Sequence, residues 1–183
     1  EKDAALIRRW IVEGALFNSG QSCCAVERVY VHEAVWDDFI EKAVSAAESW
    51  HLGLPTDPET TLGPVVRPRN ARDIRAHVNA ALAAGAWGLV DPNQFGDFGS
   101  LGEGFVAPQL LVEVTHEMDI MREETFGPVA GIMKVSSDAE AIRLMNDSRF
   151  GLTASVWTRD AEAAMQIGGQ LETGTVFMNR CDY

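Results

Sequence analysis

The residue pattern predicts an α/β domain with a largely parallel sheet flanked by helices. In the second half of the chain, strand-like segments alternate with helical ones of about 10–15 residues, the order that a parallel sheet with crossover helices produces. The composition, 46% hydrophobic and 23% charged, is that of a packed globular protein. At 183 residues the chain is long enough for one substantial core.

The elements follow from local patterning. Leu6, Ile7, Trp10, Ile11, Ala15 and Leu16 recur at helical spacing, with Asp3 as N-cap and Asn18 to Gly20 as a stop. This helix, Ala4–Leu16, is apolar around most of its circumference, which predicts burial or an interface. Arg28 to His32 alternates as a strand, and Val35 to Trp50 is an amphipathic helix. A Gly-, Pro- and Thr-rich loop covers Leu52 to Pro64, then Arg69 to Ala84 forms a helix ended by Gly85. Trp87 to Val90 is a short strand, and Pro92 to Gly104 a loop. Strands are expected at Phe105–Val114, Val129–Val135, Leu152–Thr158 and Thr175–Asn179. Between them lie helices at Asp138–Met145, capped by Ser136 or Ser137, and at Asp160–Leu171. There is no internal repeat and no linker. The chain lacks an initiating Met and stops soon after a strand, so both ends are expected to be cuts within a larger protein.

Charge narrows the function classes. Fifteen Lys and Arg face 27 Asp and Glu, a formal net charge of -12. Nucleic-acid binding is not expected, because neutralising phosphates takes clustered cations. Attraction to an anionic membrane is not expected of so acidic a chain, and no apolar run approaches the ~20 residues of a spanning helix. The three cysteines form no disulfide framework, so a reducing, cytoplasmic setting is expected.

The densest chemical signal is Phe17-Asn18-Ser19-Gly20-Gln21-Ser22-Cys23-Cys24-Ala25. A cysteine just after a Gly-containing turn is expected at the start of a short helix. There the helix dipole and unpaired N–H groups favour the thiolate, the species that attacks a carbonyl carbon. A cysteine that merely fills the core is the plain alternative. The second signal is Arg122-Glu123-Glu124-Thr125-Phe126-Gly127-Pro128-Val129, where a carboxylate followed by an aromatic suits a cofactor ribose. A surface turn with solvated carboxylates accounts for it equally well. Metal chemistry is not expected: His32-Glu33 and His116-Glu117 lack the second His of a zinc helix, and the cysteines lack ligand spacing. Gly20 to Cys24 misses the serine elbow at its last position, and Gly96 to Gly104 is not placed as a phosphate loop.

Together these segments resemble the aldehyde dehydrogenase family. Its F-N-x-G-Q-x-C form is met by Phe17 to Cys23, and its E-E-x-F-G-P-V form by Glu123 to Val129. Shorter echoes follow in family order: Leu62-Gly63-Pro64, Asn146-Asp147-Ser148-Arg149-Phe150-Gly151-Leu152, and Gly174-Thr175-Val176-Phe177-Met178-Asn179. The resemblance implies the α/β catalytic-domain fold of that family over residues 1–183. It implies Cys23 as nucleophile, forming a thiohemiacetal and then a thioester, with its backbone N–H in the oxyanion hole. Glu124 would hold the nicotinamide ribose and Phe126 would lie beside the nicotinamide, the cofactor being NAD or NADP. Phe17, Ser22, Cys24 and Asp182 would line the path of a small aldehyde. The dinucleotide-binding domain, the general-base glutamate and the oxyanion asparagine are expected outside this sequence, so the chain alone is expected to be largely inactive. A homo-oligomer is implied for the parent. Two alternatives stand beside this one: a non-catalytic assembly domain, suggested by the apolar Ala4–Leu16 helix, and release of the acyl group to CoA.

Overall fold

A computed structural model describes the backbone of residues 7–181 and the side chains of residues 10–181. Asp3, Ala4, Leu6 and Asp182, singled out above, lie outside the described residues.

Four strands form the main sheet: β1 (Arg28–His32), β2 (Trp87–Gly88), β3 (Gln109–Val112) and β4 (Val129–Val135), in the order β1-β4-β3-β2. β1 and β3 each run parallel to the central β4, and β2 joins antiparallel at the edge beyond β3. A second sheet holds β5 (Thr153–Val156) and β6 (Thr175–Met178), also parallel. The expected class is therefore met, with one antiparallel edge strand and a separate small sheet added.

Residue alternation along the strands builds two cores, because successive side chains point to opposite faces. Val29 and Val31 of β1, Leu110 and Val112 of β3, and Ala130 and Ile132 of β4 face one side. There they meet helix α2 (Trp36–Glu48) through Phe39, Ala43, Ala46 and Ala47, spaced as one helical face. Helix α1 (Glu13–Leu16) covers the same side with Ala15 and Leu16. Tyr30, Leu111, Val129 and Met133 face the other way, against Ala71, Ile74 and Ala81 of α3 (Pro68–Ala83) and Ile120 and Met121 of α4 (Asp119–Arg122). Around the small sheet, α5 (Asp138–Asn146) and α6 (Ala161–Gly168) close a third cluster centred on Val156, Ala164 and Leu171.

Helix ends follow their chemistry. Ser137, the second of the two caps considered, accepts from the Glu140 amide, while the Glu140 carboxylate reaches back to the Ser136 amide. The Ser136 amide and hydroxyl, both donating to that carboxylate, hold the Glu140 carboxyl below its ordinary pKa. Asp160 caps α6, and Pro68 opens α3 at a position where no amide is needed.

Three expectations need correction. The N-terminal helix is described from Ile7, but Ile7–Val12 is wound as a π-helix and only Glu13–Leu16 as α. The strand expected at Phe105–Val114 pairs only over Gln109–Val112, since Pro108 has no amide to donate and Glu113 turns away at φ 54°. The strand expected at Trp87–Val90 is laddered only at Trp87 and Gly88. Beyond them the Leu89 amide still donates to the Leu110 carbonyl (2.9 Å), and at Val90 the Gln109 side chain takes over: its amide donates to the Val90 carbonyl (2.9 Å) and its carbonyl accepts from the Val90 N–H (3.0 Å).

Candidate active site

The segment after α1 reverses direction through two non-glycine residues in left-handed conformation, Asn18 (φ 50°) and Ser19 (φ 58°), and then Gly20 (φ 71°). Side chains hold this costly geometry. Asn18 Nδ2 donates to the Gln21 carbonyl, and Gln21 Nε2 returns a bond to the Asn18 carbonyl (2.9 Å). Gln21 Oε1 also accepts from the Val66 amide, and the buried Ser19 hydroxyl donates to the Gly63 carbonyl at 2.7 Å. Leu62-Gly63-Pro64 thus acts as the floor of the cysteine segment.

Cys23 follows in a single turn, closed by the Ala25 amide on the Ser22 carbonyl (3.1 Å). It is not at the start of a helix, as expected from the sequence. The chain is drawn out of the turn at once, because the Val26 amide donates to the Gly14 carbonyl and the Glu27 carbonyl receives the Gly131 amide at the entry to β1. The helix-dipole argument therefore does not apply. What remains is an exposed thiol, which rules out the core-filling alternative for Cys23. No hydrogen bond from its amide is formed among the described residues.

The other expected lining residues are only partly assembled. Cys24 is half-buried with its Sγ 3.8 Å from that of Cys23, and the Ser22 hydroxyl turns back to accept from the Cys24 amide. Phe17 is exposed at the head of the turn. Cys181 stands apart, buried, with its thiol donating to the Trp10 carbonyl at 2.7 Å.

The second motif meets the first at two points. A Cβ placed on Gly20 would lie 1.9 Å from the Gly127 carbonyl oxygen, so the two loops touch backbone to backbone. Seven residues on, the Glu27 carboxylate accepts from the amides of Thr125 (3.0 Å) and Phe126 (2.8 Å). Glu124, just before these anchors, is exposed, and Phe126 is half-buried at φ 54°. Glu123 is paired with Arg149, whose guanidinium also lies 5.2 Å from the Phe150 ring centre. Burial pushes the Glu27 carboxyl pKa up, partly offset by the two amide bonds and the nearby Arg28 charge. Sequence reading passed over Glu27. The available signal was an acidic residue in an apolar run entering a strand.

The shorter echoes join the same network. Ser148 accepts from Arg28 Nη1 at 2.6 Å, and Asp147 receives His116, whose other ring nitrogen bonds the Tyr30 hydroxyl at 2.9 Å. The Gly151 carbonyl accepts from the Gly174 amide, joining the two last motifs at the small sheet. A cavity of about 150 Å³ bounded by Trp36, Glu113, Val114, Ile132, Met133 and Lys134 is lined by none of the expected site residues. No helix among the described residues is long and apolar enough to cross a membrane.

A wound parallel sheet carrying an exposed cysteine turn, pinned to a carboxylate–aromatic loop, defines a class of thiol-bearing α/β domains. Comparison with known proteins specifies which. Residues 1–182 match the model of the aldehyde dehydrogenase family. An aldehyde dehydrogenase of Paenarthrobacter nicotinovorans is 44% identical over 165 residues, covering 90% of this chain and 35% of that protein. Vanillin dehydrogenase of Pseudomonas sp. (strain HR199 / DSM 7063) is 39% identical, covering 91% and 33%. The NADP complex of an NADP-dependent glyceraldehyde-3-phosphate dehydrogenase from Bacillus halodurans C-125 superimposes with a TM-score of 0.89 at 35% identity, covering 99% of this chain and 36% of that one. The chain belongs to the aldehyde dehydrogenase family, and it spans about a third of the length of the curated relatives it matches.

Proposed function

We propose that this chain is the nucleophile-bearing catalytic domain of an NAD(P)-dependent dehydrogenase that oxidises a small aldehyde to a carboxylic acid. The observation that carries the reading is the exposed Cys23 thiol, in a turn fixed at Gly20 and Glu27 to the loop that bears Glu124 and Phe126. The names of the relatives and the NADP complex among the structural neighbours support it.

In this reading the Cys23 thiolate adds to the aldehyde carbon: a C–S bond forms, and the carbonyl π pair moves onto oxygen. The Cys23 amide donates to that oxyanion. The residues present fit one end of a nicotinamide nucleotide. Glu124 offers an exposed carboxylate to ribose hydroxyls, and the half-buried Phe126 ring offers an apolar face. When bound, the nicotinamide supplies the hydride acceptor. Phe17, Ser22, Cys24 and Asp182 shape the approach to Cys23. A homo-oligomeric, cytoplasmic parent accords with the reading.

Steady-state turnover of an aldehyde with NAD or NADP by the full-length protein tests it. Cys23→Ser is expected to abolish turnover and Cys24→Ser to retain it. Full activity in Cys23→Ser would overturn the assignment. The 183-residue chain alone is expected to turn over little or no aldehyde.

A further inference from the structure

Glu27 lies outside the motifs that assign the site, yet it makes the bond between them. The chain leaves the Cys23 turn, enters β1 and places the half-buried Glu27 side chain against the loop of residues 123–128. One carboxylate oxygen accepts from both the Thr125 and Phe126 amides (3.1 and 2.8 Å), and the other accepts from Thr125 at 3.0 Å. The backbone carbonyl of the same residue accepts from Gly131 in β4, so Glu27 is clamped at both ends. Its target is a strained segment. Phe126 holds φ 54°, a left-handed value that an aromatic residue rarely adopts and that sets where its ring points. Thr125 is additionally held by His77 Nδ1 on its hydroxyl (3.1 Å), and Gly127 packs under Ile74.

We infer that Glu27 is a positioning residue: by holding the Thr125 and Phe126 amides it fixes the conformation that presents Glu124 and Phe126 beside the Cys23 turn. The inference rests on the function proposed above for the nucleotide part of its effect, while the hold on the loop stands independently of it.

The chemistry favours a carboxylate for this task. An ionised carboxylate is acceptor-only and takes several N–H groups at once, whereas a glutamine places a donor against one of them. Burying a charge is costly, and a loop that needed only packing would be served by a neutral group. Arg28 on the same strand favours the charge, and Glu124 across the loop opposes it.

The test combines amide exchange on the chain with kinetics of the full-length protein, using Glu27→Gln, Glu27→Ala and Glu27→Asp. In Glu27→Ala, exchange at Thr125 and Phe126 is expected to quicken about tenfold or more, with β4 amides changed less than about twofold. In the isosteric Glu27→Gln, which keeps the fold if the alanine variant does not, Thr125 is expected to quicken more than Phe126. Full-length Glu27→Gln is expected to raise KM for NAD(P) several-fold and leave both KM for the aldehyde and the alkylation rate of Cys23 within about twofold. Glu27→Asp is expected to restore KM only partly, because it is one methylene short. Unchanged exchange at Thr125 and Phe126 overturns the hold on the loop. Quickened exchange with an unchanged KM for NAD(P) overturns the positioning role. If wild-type full-length protein shows no NAD(P)-dependent turnover, the dehydrogenase reading and the nucleotide part fail together, and exchange alone decides the hold.

Discussion

Gly20 rests directly on the Gly127 carbonyl, and no side chain fits between them: a Cβ on Gly20 would sit 1.9 Å from that oxygen. This contact joins the two long motifs, and it demands glycine twice over, by space and by φ 71°.

Gly20→Ala is therefore expected to cost roughly 2–4 kcal/mol, combining left-handed strain with an overpacked backbone contact. Gly85→Ala shares the positive φ (105°) but has no neighbour within 4 Å of the added carbon. It is expected to cost only about 1 kcal/mol. Urea denaturation of the two variants reads the difference. Equal losses would mean that the Gly20–Gly127 contact relaxes without cost.

Thiol reactivity should follow exposure. Cys23 is exposed, Cys24 half-buried and Cys181 buried with its thiol on a helix carbonyl. Limited iodoacetamide treatment followed by peptide mass spectrometry is expected to label Cys23 first, Cys24 more slowly, and Cys181 only on unfolding.

Tyr30 predicts a loss of stability at high pH. The Asp147 carboxylate can only accept, so His116 presents Nδ1–H to it and the Tyr30 O–H donates to Nε2. Burial pushes the Tyr30 pKa up from 10.0 to about 12. An acid whose pKa is higher in the folded state contributes stability below its unfolded pKa and loses it as pH rises through the folded one. The loss should fall between about pH 10 and 12 and amount to roughly 2 kcal/mol. Tyr30→Phe is expected to be about 1 kcal/mol less stable at neutral pH, since His116 Nε2 loses its partner, but to lack that alkaline decline. With only two tyrosines in the chain, ultraviolet titration of the variant separates Tyr30 from Tyr183.

Gln109→Ala removes both bonds to the buried Val90 backbone at the sheet edge. A cost of roughly 2–3 kcal/mol is expected, since two buried groups lose their partners. Urea denaturation of the variant measures the loss.

These residues also mark what was legible in the sequence. β1 and β4 carry the bounds expected of them, because alternating apolar residues have no other stable use there. The last two strands and their helices were readable in type from period and caps, with ends up to three residues off, but not their separation into a second sheet. What escaped prediction depends on partners far along the chain. Gln109 reads as one more strand residue until Val90 is placed beside it, and Glu27 shows no role until Thr125 and Phe126 are placed beside it. The Cys23 turn misled for the same reason: local sequence permits a helix there, and the pull of Gly14 and Gly131 on the chain that follows prevents one. The resemblance to a family named the motifs, but their mutual anchoring was visible only in three dimensions.

The order β1-β4-β3-β2 has a kinetic meaning. β1 finds its parallel partner only when Arg28 meets Gly131, across most of the chain. Closing so large a loop precedes the contacts that reward it, and parallel pairings of this kind form slowly. The Glu27 clamp and the Gly20–Gly127 contact cannot exist before β4 docks. During synthesis the Cys23 turn emerges about a hundred residues before the end of β4, and until residue 135 has been made neither of those anchors can fix it.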